Sequence, residues 1–87
     1  MPAARLTLLS KPGCHLCDAA RDVVSQVVAG LPAGASVTVE ELSILDDAEL
    51  NARYWDEIPV VLIDGAVHNI WHIDAERLRD ALLEATA

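Results

Sequence analysis

Phenylalanine is absent from this chain, and two Trp and one Tyr are its only aromatic residues. Any core is therefore aliphatic, drawn from the Val, Leu, Ile and Ala that dominate an apolar share of 53%. That share is enough to fill an interior and excludes an intrinsically disordered chain. Basic residues are scarce as well. Six Lys and Arg stand against 14 Asp and Glu, a formal net charge of −8. Nucleic-acid phosphates and anionic lipid surfaces are recognised through Lys and Arg, so neither a nucleic-acid nor a membrane partner is expected. The acidic surface reads first as a device for solubility. No apolar run approaches the ~18 residues of a membrane span. The opening Met-Pro-Ala-Ala-Arg-Leu has no apolar stretch with a small-residue cleavage site, so no export signal is expected. These absences predict a cytoplasmic protein, and 87 residues leave room for a single domain over 1–87.

Cysteine is also rare. The two present lie within Ser10-Lys11-Pro12-Gly13-Cys14-His15-Leu16-Cys17. In a reducing compartment a structural disulfide is disfavoured, and a Cys-x-x-Cys reads as redox-active or metal-binding. The flanking pattern places it. Residues 5–9 form a short apolar run that reads as a buried strand, stopped by Pro12 and Gly13. From Leu16 the period changes: Leu16, Ala19, Ala20, Val23, Val24, Val27, Val28 and Leu31 recur at helical spacing, with Asp18, Arg21, Asp22, Ser25 and Gln26 opposite. Gly30 and Pro32 end this helix. Its valines are poor formers of an isolated helix, so packing must hold it.

Residues 36–42 alternate as a strand. Residues 46–54 read as a short helix, with Asp46 as N-cap and Glu49 three positions on. Ile58-Pro59-Val60-Val61-Leu62-Ile63 is the most apolar run and is expected at the sheet centre, with Pro59 at its opening where a missing N–H is tolerable. Asp64-Gly65 predicts a two-residue hairpin turn. Residues 66–71 then return antiparallel, and Asp74 caps a last helix with Ala75, Leu78, Ala81, Leu82 and Ala85 towards the core. The order β-α-β-α-β-β-α, with a right-handed first crossover, gives an α/β fold: a four-stranded mixed sheet flanked by helices.

This order, with Cys14-x-x-Cys17 after the first strand and Ile58-Pro59 opening the third, resembles the thioredoxin fold. Within it the chain is similar to glutaredoxins, and specifically to small bacterial glutaredoxin-like proteins. Lys11, three residues before Cys14, fits the glutaredoxin habit, and Leu62-Ile63-Asp64-Gly65 fits the hairpin. The resemblance implies a cis bond before Pro59 and a monomeric thiol–disulfide oxidoreductase without organic cofactor. It implies protein or small-molecule disulfides as substrates, an electron donor such as a reductase, and glutathione as a co-substrate. The chain departs from the pattern in three places. His15-Leu16 lies between the cysteines. Leu8 stands where thioredoxins bury an Asp. Trp71-His72 precedes the last helix where glutaredoxins present two glycines to glutathione.

In this reading Cys14 is the nucleophile, beside the free amides and positive dipole of the first helical turn. Cys17, one turn inward, is the resolving thiol. Lys11 and His15 add positive charge when protonated, and Lys11 can meet a substrate carboxylate. The Ile58 backbone beside Pro59 can pair with an extended substrate, and Trp71 and His72 border the same end. A different class remains open: a thioredoxin-fold module that holds a metal or an iron–sulfur cluster, or docks a protein, without turnover. Two Cys with His68 and His72 would suit zinc. The whole stretch 18–67 separates the pairs, however, and residues four apart on a strand lie ~13 Å apart, so no metal site is expected.

Overall fold

The computed structural model describes residues 2–87. The elements follow the expected order: β1 (Ala4–Ser10), α1 (His15–Ala29), β2 (Val37–Ser43), a 3₁₀ turn (Ile44–Asp46), α2 (Ala48–Tyr54), β3 (Val60–Ile63), β4 (Ala66–Ile70) and α3 (Ala75–Ala85). The sheet order is β2-β1-β3-β4. β1 runs parallel to β2, with Leu8 opposite Glu41, and antiparallel to β3, with Leu8 opposite Val61. The two apolar runs of the sequence thus occupy the middle of the sheet.

Side chains alternate across a strand, and the core divides accordingly. Leu6 and Leu8 of β1 and Val61 of β3 meet Ala20 and Val24 of α1 and Leu78 and Leu82 of α3. Leu9 and Val60 belong to a second cluster with Ile44, Tyr54, Ile58 and Cys17. The second cluster ties the cysteine-bearing end of α1 to α2 and to the approach to β3. Burying each Leu or Val side chain contributes roughly 1.5–3 kcal/mol, and this burial compensates for a helix rich in valine.

Several local readings need correction. The cap of α2 is Asp47, whose carboxylate accepts the Glu49 and Leu50 amides, while Asp46 closes the preceding 3₁₀ turn. Two adjacent acids were available, and the turn decides between them. β3 begins at Val60 rather than Ile58, and β4 ends at Ile70 because Trp71 turns to φ 62°. Ala75 is exposed in the first turn of α3 instead of facing the core, as are Leu16 and Ala19 in α1. At the hairpin, Asp64 and Gly65 both have positive φ, 50° and 84°, the type I′ geometry whose twist matches the strands. Asp74 caps α3 as expected, accepting the Arg77 amide at 2.9 Å.

His68 of β4 lines an open cleft against α3 with Ile63, Ala81 and Glu84, and its Nε2 is buried without a partner. Burial, and next the nearby Arg77 charge, hold its imidazole below the ordinary value, favouring the neutral ring. His72 is exposed on the loop before α3. Among the described residues no group of three or more His, Cys, Asp or Glu is disposed to hold a metal ion. No helix among them is long and apolar enough to cross a membrane.

Candidate dithiol site

The site forms where β1 turns into α1. Gly13 has φ +75° with open space around it, so backbone conformation rather than room calls for glycine. Cys14 then takes the N-cap position, which Ser, Thr, Asp or Asn commonly fill. Its Sγ accepts the Cys17 N–H at 3.2 Å, and its carbonyl accepts the Asp18 N–H at 3.1 Å. The Cys17 N–H and the positive end of the helix are both directed at this sulfur.

Cys14 is partly exposed, whereas Cys17 is fully buried, and both sulfurs are free. Burial pushes the Cys17 thiol up to about 11, reinforced by its hydrogen bond with Cys14 and by that sulfur's charge. The Lys11 backbone and the Arg21 charge pull in the opposite direction. One turn of helix therefore separates an accessible sulfur from a buried, protonated one.

Pro59 is fully buried between Ile58 and Val60, two members of the second core cluster. The Ile58–Pro59 peptide is cis, and Cys14 packs against the cluster that contains Ile58 and Val60. The Ile58 N–H is already committed to the Tyr54 carbonyl at 3.2 Å. A β-bridge to substrate using both polar groups of Ile58 would have to displace that bond. Trp71 is fastened to the same loop twice: its N–H donates to Pro59 O at 2.9 Å and its Nε1–H to Asp56 O at 3.0 Å. These bonds hold the bulky residue at its unusual positive φ.

The remaining candidates divide between two sides of α1. Leu16, Ala20 and Val23 share a groove with Trp71 and His72. Lys11 lines a different depression with Asp18, Arg21, Glu41 and Asp46. At 100° per residue, positions 18 and 21 lie opposite 16, 20 and 23. Lys11 is thus kept away from Trp71 and His72, while His15, the first residue of α1, is exposed between them in the chain.

One cluster here was not foreseen. Arg21 donates to both Glu41 oxygens, at 2.8 and 2.6 Å, and to Asp18 at 2.8 Å, while Ser10 Oγ donates to Glu41 at 2.7 Å. The Asp18–Arg21 spacing was a visible hint, but the Glu41 contact depends on strand register. Hydrogen bonding to Arg21, and less strongly to Ser10, holds the Glu41 carboxyl below its ordinary value, against the opposing effect of burial. A depressed carboxyl pKa adds stability above the unfolded value of 4.5 and loses it as pH falls through the folded value. Glu41→Gln should therefore lower the denaturation midpoint at pH 7. The gap to wild type should close on acidification below pH 4.5. Parallel urea titrations across that range measure it, and a gap that is constant with pH would contradict the linkage.

A parallel β1–β2 pair, an antiparallel β3–β4 hairpin, a cis-proline loop and a dithiol at the start of α1 define a thioredoxin-fold protein. The comparisons agree. A thioredoxin variant from Halobacterium salinarum superposes with a TM-score of 0.72 over 99% of this chain and 77% of its own, at 16% identity, which speaks to fold alone. A crystal structure of an X. campestris protein gives a TM-score of 0.70 at 35% identity, covering 94% and 99% of the two chains. A glutaredoxin-like protein of Dictyostelium discoideum is 30% identical over 77 residues, 84% of this chain and 69% of its own. The model of the glutaredoxin-like domain (DUF836) matches residues 5–83, and the chain belongs to that family.

Proposed function

We propose that the protein is a thiol–disulfide oxidoreductase cycling Cys14 and Cys17 between dithiol and disulfide. The observation that carries this reading is the N-cap position of Cys14. Its accessible Sγ receives the Cys17 N–H, and the free Cys17 thiol is buried one turn below. The Cys14 thiolate attacks one sulfur of a substrate disulfide, forming a mixed disulfide and expelling the other sulfur as a thiolate, which takes up a proton. Cys17 then loses its proton and attacks Cys14 Sγ, closing the intrachain disulfide and releasing the second substrate thiol. Two electrons and two protons pass to substrate. A dithiol reductase, another thioredoxin-fold protein or a small thiol returns them.

In this reading His15, Ile58, Pro59, Trp71 and His72 border the incoming disulfide, Lys11 stays on the other side of α1, and no organic cofactor takes part. The protein works as a cytoplasmic monomer.

The test is a redox titration of the pair in dithiothreitol and glutathione buffers, alongside a turnover assay with a dithiol donor. A two-electron midpoint and catalytic turnover are expected. A pair without measurable midpoint or turnover, and stoichiometric zinc in the purified protein, would overturn the reading in favour of a metal-holding module.

A further inference from the structure

We propose that the groove beside Cys14 selects protein disulfides in which an apolar residue adjoins the reactive cysteine and a Lys or Arg lies beyond it, in preference to glutathione disulfide. This inference rests on the dithiol reading and names the substrate class of that site.

Three observations carry it. The groove between α1 and the loop before α3 has a volume of about 110 Å³ and is walled by Leu16, Ala19, Ala20, Val23, Trp71 and Ile73, with His72 as its one polar side chain. An apolar cavity of about 150 Å³ accepts a benzene-sized guest, so this one suits a single aliphatic side chain. Trp71 of this groove donates its N–H to the Pro59 carbonyl, and Cys14 packs against the cluster of Ile58 and Val60 on either side of that proline, so the groove opens at the same end of the sheet as Cys14.

The lysine and arginine side chains are engaged or directed elsewhere. Glutathione disulfide brings four carboxylates and two ammonium groups, a net negative ligand. Of the basic side chains, Arg21 is bound to Glu41 and Asp18, Arg77 to the His68 carbonyl and Arg79 to the Gly30 carbonyl, and Arg53 lies over the Tyr54 ring. Arg5 is the second residue of β1, its backbone N–H bonded to the Asp64 carboxylate, at the end of the strand remote from Cys14. Lys11 is close to Cys14 in sequence but opens on the other side of α1, among Asp18, Glu41 and Asp46. The start of α3 is no substitute, because the Asp74 carboxylate already occupies the Arg77 amide.

Acids adjoin the groove residues: the Asp56 carbonyl accepts the Trp71 Nε1–H, Glu57 follows Asp56, and Asp74 follows Ile73, in a chain of net charge −8. Like charges repel glutathione disulfide and attract a basic flank, and such complementarity acts mainly on the rate of encounter. An extended protein segment brings both features: an aliphatic side chain for the groove and a cation for the acids.

Single-turnover oxidation of the reduced protein tests this with three probes. The first is a symmetric peptide disulfide with Leu beside the cysteine and Arg beyond. The second is the same peptide with Ser and Glu at those positions, and the third is glutathione disulfide. The first is expected to react at least about tenfold faster than the others. Trp71→Ala should reduce the first peptide's advantage over the second to about twofold or less. Asp56→Asn with Glu57→Gln should also reduce that advantage, as should high salt. The second variant leaves the groove intact and keeps the test decisive if the first fails to fold. Equal rates with all three probes, or faster reaction with glutathione disulfide, would overturn the selection and leave the dithiol chemistry standing. If none of the three oxidised Cys14 and Cys17, the dithiol reading would fail, and the selection with it.

Discussion

Cys14→Ser is expected to abolish disulfide reduction, by at least about a thousandfold, because a serine hydroxyl is not ionised near neutrality as a thiol can be. Cys17→Ser is expected to fail differently. Its accessible sulfur remains, so it should form a stoichiometric mixed disulfide with substrate and stop there. Mass spectrometry of the two variants after exposure to one substrate disulfide distinguishes them: an unmodified chain for the first and a substrate adduct for the second. The opposite pattern would reverse the assigned roles. In the free dithiol the Cys17 thiol lies at about 11, so at pH 8 roughly one molecule in a thousand carries its thiolate. Alkylation at that pH should therefore label Cys14 first. Once Cys14 is tied up in a mixed disulfide, its charge and hydrogen bond no longer oppose ionisation of Cys17, and only burial does. Release of the mixed disulfide should accelerate with pH, by nearly tenfold per unit while Cys17 stays mostly protonated.

The features of this site that rest on local chemistry were legible from the chain alone. Pro12-Gly13 before Cys14 marks a turn into a helix, and a residue at the cap must face the free amides whatever its tertiary surroundings. Asp64-Gly65 and Asp74 were legible for the same reason: a type I′ turn and an N-cap are set by a few adjacent residues. Features that depend on register were not. Glu41 meets Arg21 because Leu8 pairs with Glu41 across β1 and β2, and a slip of one position would point that carboxylate to the other face. Trp71 looked like the last residue of a strand. Its N–H still bonds the Pro59 carbonyl as a strand residue would, but its φ of 62° ends the strand there, with the indole N–H bonded to the Asp56 carbonyl. The sequence places the Ile58 backbone beside Pro59, but not the bond by which its N–H is held by the Tyr54 carbonyl at the end of α2. What sequence spacing could not show is which polar groups the fold has already used.

Leu8→Asp is expected to cause the largest loss of stability. Leu8 is 2% exposed, in the centre of β1, within the cluster of Leu6, Ala20, Val24, Val61, Leu78 and Leu82. Thioredoxins bury an Asp at the corresponding position, so the substitution looks like restoration of a family feature. The surroundings argue otherwise. Truncating a buried Leu costs about 2–5 kcal/mol, against a total stability of roughly 5–15 kcal/mol for a domain. An aspartate adds a buried charge, and Glu41, its cross-strand neighbour on the same face, already has its carboxylate engaged by Arg21 and Ser10. Burial and that like charge would both raise the new carboxyl's pKa in the folded state. A carboxyl raised above its unfolded value binds its proton more tightly in the fold, so stability should rise as pH falls. Leu8→Asp should accordingly be largely unfolded at pH 7 and recover partly near pH 5. Leu8→Ala, which leaves a cavity but no charge, should show a smaller loss without that recovery. Circular dichroism melts of both variants at the two pH values separate the contributions. A Leu8→Asp protein as stable at pH 7 as Leu8→Ala would show that this interior can accommodate the carboxylate. It would also remove the physical reason for the chain to carry leucine, rather than an acid, in this cluster.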